Sequence, residues 1–290
     1  MKTALSALIL ALSLASWSCS RLESLEYEPP IAPETWLASQ PSLSFGAGGI
    51  DVVLIQPSST FIVYALGFLT LGVGFRFLAI LRRKGGNGRA LLFWGASMLV
   101  WGVGTLCAGS SYQAFGYMIK GMGRASMSWT SWWEVVYMLL TVASVSLMAM
   151  AINASSAGGV WRKALKAWAI LSFVAYALFA LIGASLPNRF MVSFEAMVLF
   201  IIPGMLAFFA VNISRYLKTR QRSELLLLGA WVGMAATMGA YYAYYLAGVG
   251  PALWERGIWF SENDILHVGL IGWMFYLGLA VAPAIGDRKA

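Results

Sequence analysis

The quartet Ser261-Glu262-Asn263-Asp264 stands directly before a long apolar run, and the chain's single histidine, His267, comes three residues after Asp264. Residues three apart on a helix sit one turn apart on one face, which lets the Asp264 carboxylate orient the imidazole or raise its pKa. Such a pair offers proton transfer, or a polar anchor for a ligand. A second reading needs no chemistry. Ser-x-x-Asp has the spacing of a capping box, and carboxylates are favoured near the positive end of a helix dipole. Capping accounts for Ser261, Glu262 and Asp264 but leaves His267 unexplained.

From Glu134, the polar residues Tyr137, Thr141 and Ser144 follow at plus three, plus seven and plus ten. At about 100° per residue all four share one narrow helical face. In a bilayer that face turns inward, either as the lining of a wet pocket or as hydrogen-bonding glue between helices. Glu195 lies about a turn into another apolar run, where a carboxylate needs a partner, and Arg189 is the nearest candidate. Tyr241, Tyr242, Tyr244 and Tyr245 crowd the end of the next run, as an aromatic belt or as part of a site. The expected ligand pocket comprises Glu134, Tyr137, Thr141, Glu195, Tyr241, Asp264 and His267, with Glu134, Asp264 and His267 as acid–base candidates. Lys120 and Arg124, in the segment before Glu134, are candidates for contact with an anion or a lipid headgroup. No HxxxH or HExxH spacing occurs, so neither a metal site nor a cofactor is expected.

Membrane helices must position these residues. Of 290 residues, 60% are hydrophobic and 11% charged, with mean hydropathy +0.73, a balance no water-soluble domain buries. Runs near the 20 or so residues needed to span hydrocarbon occur at Thr60–Leu81, Ala90–Gly109, Trp133–Asn153, Ala164–Ala184, Met191–Ile213, Leu225–Leu246 and Ile265–Ile285. The expected fold is an all-α membrane protein, a bundle of seven transmembrane helices over residues 59–286. The net charge of +8 does not imply nucleic acid, because the basic residues sit in short loops between spans. The loops after spans one, three and five and the tail carry 13 of the 20 Lys and Arg, which predicts a cytoplasmic C-terminal tail (287–290) and an external N-terminus. Residues 1–19 read as a cleavable signal peptide. Cys19 ends it in "SWSC", which resembles a bacterial lipobox, so both lipidation and simple cleavage stand. Residues 20–58, rich in Pro, Ser and Glu, read as a flexible external segment whose glutamates could meet Lys120, Arg124 or Arg256. The expected location is a bacterial cell membrane.

Seven spans, an external N-terminus and a polar cluster with His267 in the last span resemble the superfamily that includes alkaline ceramidases and the progestin and adipoQ receptors. Those proteins hold zinc with three histidines, two of them as HxxxH in the last helix; here His267 matches and Ile271 stands at the partner's position. A rhodopsin is excluded, because the last span has no lysine for a retinal Schiff base. Two functions fit: a binding or sensing protein with an outward pocket for a small or lipid-like ligand, or an intramembrane lipid amide or ester hydrolase. Gly229 and Gly233 have GxxxG spacing, for packing within the chain or for a homodimer.

Overall fold

The computed structural model describes residues 21–86 and 88–288. The expected signal peptide and Cys19 lie outside the described residues. From residue 21 onward come α1 (Pro33–Ala38), the antiparallel hairpin β1 (Ser42–Ala47) and β2 (Ile50–Ile55), and then α2 (Pro57–Arg83) and α3 (Arg89–Ala108). A π-helical turn, Gly109–Ala114, extends α3. After it follow α4 (Gly116–Lys120), α5 (Trp132–Ser155), α6 (Val160–Ser185), α7 (Phe194–Thr219), α8 (Arg222–Leu246), α9 (Val249–Trp254) and α10 (Glu262–Tyr276), whose end runs through a second π turn, Leu277–Val281. Seven of these helices, α2, α3, α5, α6, α7, α8 and α10, are long and apolar enough to cross a membrane. The chain is an all-α seven-helix bundle.

Large apolar side chains point outward around the bundle, Phe61, Phe68 and Phe75 on α2 among them. That surface suits lipid, which is as apolar as the side chains it meets. Inside, Phe77 stacks on Trp94 at 5.7 Å, Trp94 on Trp231 at 6.0 Å, and Phe208 lies 5.4 Å from Trp231, tying α2, α3, α7 and α8 together. The backbones of α2 and α3 approach each other closely. A Cβ on Gly74 would come within 3.0 Å of the Leu99 nitrogen, and one on Gly102 within 3.0 Å of the Leu71 nitrogen. Gly67 and Gly95 extend the seam, each blocked by a leucine of the facing helix. By contrast, a Cβ on Gly233 would meet Trp273 at an ordinary 3.5 Å, and one on Gly229 only the tip of Tyr276. The GxxxG face of α8 therefore leans on α10 without backbone contact.

Pro203 does not break its span, for α7 runs continuously through it. Arg76 donates to the carbonyl of Gly278, in the π turn that widens the end of α10, so it satisfies a backbone group there.

Residues 21–56 are not the tail read from composition. Leu22 and Ile55 are fully buried, and Leu22 belongs to a core cluster with Val135, Met138, Tyr176 and Met197. Two ion pairs strap the segment to the bundle, Glu23 to Arg124 at 2.9 Å and Glu28 to Arg189 at 2.9 Å. Arg189 also donates to the Glu26 carbonyl. Polar composition hides this order because the segment buries only a few apolar residues, against a surface that the bundle supplies.

Candidate functional site

The end of the bundle covered by residues 21–56 carries two polar groups, and they are separate. The first centres on Glu134 in the opening turn of α5. The π turn after α3 places Ser111 so that its hydroxyl donates to Glu134 Oε1 at 2.8 Å, and Lys120 Nζ at the end of α4 reaches the same oxygen at 2.8 Å. Thr130 Oγ1 donates to Oε2 at 3.0 Å. Side chains of the pair are 3% and 2% exposed. Both carboxylate oxygens are engaged, and the ammonium lies 5.4 Å above the Tyr112 ring. Burial alone would push the Lys120 ammonium down, but the Glu134 carboxylate, with a smaller contribution from Tyr27, reverses this and holds it above its ordinary value. Lys120, expected to meet an anion or headgroup, is instead consumed in this pair. Arg124, the other candidate, is taken up by Glu23.

The remaining polar face of α5 is mostly glue. Tyr137 packs edge-on against Tyr112 at 6.2 Å, Thr141 donates to the Tyr137 carbonyl, and Ser144 meets Ser97 of α3 at 2.9 Å.

The second group is built on the start of α10. Ser261 and Asp264 form the capping box in full. Asp264 Oδ2 accepts from Ser261 N at 2.7 Å and Ser261 Oγ at 3.1 Å, and from Ser59 Oγ of α2 at 2.9 Å. Trp259 Nε1 donates to Ser59 Oγ at 3.0 Å, so the indole fixes the serine that fixes the carboxylate. Asp264 is fully buried, yet its second oxygen, Oδ1, has no hydrogen-bond partner. One turn on, His267 Nδ1 is also buried without one. Buried polar atoms are rarely left so, because each forfeits its hydration for nothing.

Aromatic residues of α8, α9 and the loop before α10 pack at this end of the bundle. Tyr244 donates to the Phe260 carbonyl at 2.6 Å, Trp254 packs edge-on to Trp259 at 5.1 Å, and Tyr241 lies 5.0 Å from Tyr242. Glu195 is exposed, and Arg189, its expected partner, is committed to Glu28.

The candidates thus divide. Asp264 and His267 share one face at the start of α10, Tyr241 on α8 and Glu195 on α7 make no hydrogen bond to either among the described residues, and Glu134 is locked among Ser111, Lys120 and Thr130. Among the described residues no hydrogen bond or ion pair joins the two groups. Ser59 and Trp259 escaped notice because they reach Asp264 across about 205 residues and through a side chain, respectively. Also missed was a polar knot at the opposite end: Asn212 donates to Glu224 at 2.7 Å and accepts from Trp231 at 2.8 Å, and Arg215 pairs with Glu224 at 2.8 Å. The signal was an amide and a carboxylate at apolar span ends.

Residues 56–284 match the model of a family described as a family of unknown function, DUF6962. The chain belongs to that family. The match spans the seven-helix bundle and leaves out the hairpin segment before it and the tail after it. No curated protein and no solved structure matches the chain. The zinc implied by the ceramidase-like resemblance does not fit the residues present, because His267 is the single histidine and no group of three or more His, Cys, Asp or Glu converges among the described residues.

Proposed function

We propose that this DUF6962 member is a binding or sensing membrane protein whose ligand, small or lipid-like, is held at Asp264 and His267. The observation that carries this reading is the pair of buried, unpartnered atoms one turn apart, Asp264 Oδ1 and His267 Nδ1. The free carboxylate oxygen accepts, so the ligand presents a hydrogen-bond donor to it. The tyrosines and tryptophans around them supply apolar contact on which such a ligand packs. Lipid hydrolysis is less well supported. It needs a base to activate water, and Glu134 has both oxygens engaged while Asp264 Oδ2 is held by three donors. The basic loops at the opposite end support an orientation with that end in the cytoplasm of a cell membrane, which puts the site on the outer-leaflet side.

The test is to purify wild type, His267→Ala and Asp264→Asn in detergent and to identify retained small molecules by mass spectrometry. Wild type should retain a molecule that both variants lose by about tenfold or more while staying folded, as removal of a buried hydrogen bond to a charged group would do. Equal retention by all three overturns the assignment.

A further inference from the structure

At the other end of the bundle, where α5 and α7 finish and α8 starts, residues 285–288 turn back under the helices and enclose a cavity of about 390 Å³. This is within the range of small-ligand sites. Its acceptors are occupied. Glu224 Oε1 takes Arg215 Nε at 2.8 Å and Oε2 takes Asn212 at 2.7 Å, while Asp287 receives the backbone N–H groups of Arg89 and Ala90 at the start of α3. Its donors are not. Arg288 lines the cavity and makes no ion pair among the described residues. Arg215 spends Nε on Glu224 and one terminal nitrogen on Gln221, leaving the other free. Ser223 adds a hydroxyl at the first turn of α8, a 25-residue helix whose N-terminus has no side-chain cap. The Arg288 guanidinium rests on Gly158, where any Cβ would collide with it, and its own backbone N–H is tied to the Ala154 carbonyl at 2.9 Å. The arginine is thus seated over the cavity by a glycine that leaves it room.

Filled acceptors and unfilled guanidinium and hydroxyl donors describe a site for a tetrahedral anion, in a part of the molecule whose loops concentrate positive charge. We propose that this cavity binds a phosphoryl group, carried by free phosphate or by the headgroup of an anionic phospholipid. The site is separate from the one at Asp264 and stands or falls independently of it.

The experiment uses the full chain in phosphatidylcholine nanodiscs. One arm follows thermal unfolding during titration with inorganic phosphate against chloride at equal ionic strength. The second replaces a minority of the lipid with phosphatidic acid. In wild type one arm should show a saturable rise in unfolding temperature. Arg288→Gln, which removes the charge, and Gly158→Ala, which dislodges the arginine, should weaken the apparent affinity about tenfold or more. A response to phosphate assigns the free anion, and a response to phosphatidic acid alone assigns the lipid. No response in either arm, or the same response in wild type and both variants, overturns the proposal.

Discussion

Replacing Lys120 with Met should damage the protein more than any surface charge change. The ammonium and the Glu134 carboxylate are 2.8 Å apart with side chains 3% and 2% exposed, so the substitution leaves a buried anion with only Ser111 and Thr130 as donors. Breaking a buried pair from one side costs about 3–5 kcal/mol. At about 2–4 °C per kcal/mol for a chain of this size, the unfolding temperature should fall by roughly 6–20 °C. Removing both charges in Lys120→Met/Glu134→Gln should cost less than the two singles added together, because the double variant strands no charge. The assay is thermal unfolding of detergent-solubilised protein followed by tryptophan fluorescence. pH gives a second handle. Lys120 is held above its ordinary value, so the pair's contribution is complete below the unfolded lysine value of about 10.4 and is lost only as pH rises through the higher folded value. The gap between wild type and Lys120→Met should therefore stay constant from pH 7 to about 10 and close above it. A single variant within about 0.5 kcal/mol of wild type, or strictly additive singles, would refute the view of this pair as a closed structural staple.

Three further outcomes follow from the packing and the charge pattern. Gly102→Leu or Gly74→Leu should prevent assembly of α2 on α3, because the added side chain meets backbone, whereas Gly233→Ala should be close to neutral; yields of folded protein after size exclusion check this. Ser261→Ala should lower stability by about 0.5–2 kcal/mol through loss of the cap on α10, read by the same unfolding assay. In a background without native cysteines, Met122→Cys should react with an impermeant maleimide added to intact cells and Arg82→Cys only after lysis, and the reverse pattern would invert the proposed orientation.

The seven spans were legible because each is set by its own residues: a run that can satisfy its backbone only as a helix announces itself without partners. The capping box was legible for the same reason, since Ser261 and Asp264 are three residues apart and its bonds run between the two. What composition could not convey is pairing at a distance. Lys120 looked like a surface cation until the π turn after α3 and the short α4 wrapped it onto Glu134, and nothing periodic in that segment marks the wrap. The hairpin was foreshadowed by Gly48-Gly49 ahead of an apolar run, a turn signal, but a polar segment declares structure only when the surface it covers is known. The helix seam shows the same asymmetry. GxxxG drew attention to Gly229 and Gly233, yet the backbones that approach belong to α2 and α3, where Gly67 faces Gly102 and Gly74 faces Gly95. Those pairs repeat every seven residues in both helices, the period at which one face of a helix returns after two turns. A small residue permits close approach from either spacing; which helix accepts the invitation depends on the neighbour. The unpartnered Asp264 Oδ1 and His267 Nδ1 belong to this non-local class as well, for the sequence placed them on one helical face, while only the assembled bundle withdrew them from every protein partner.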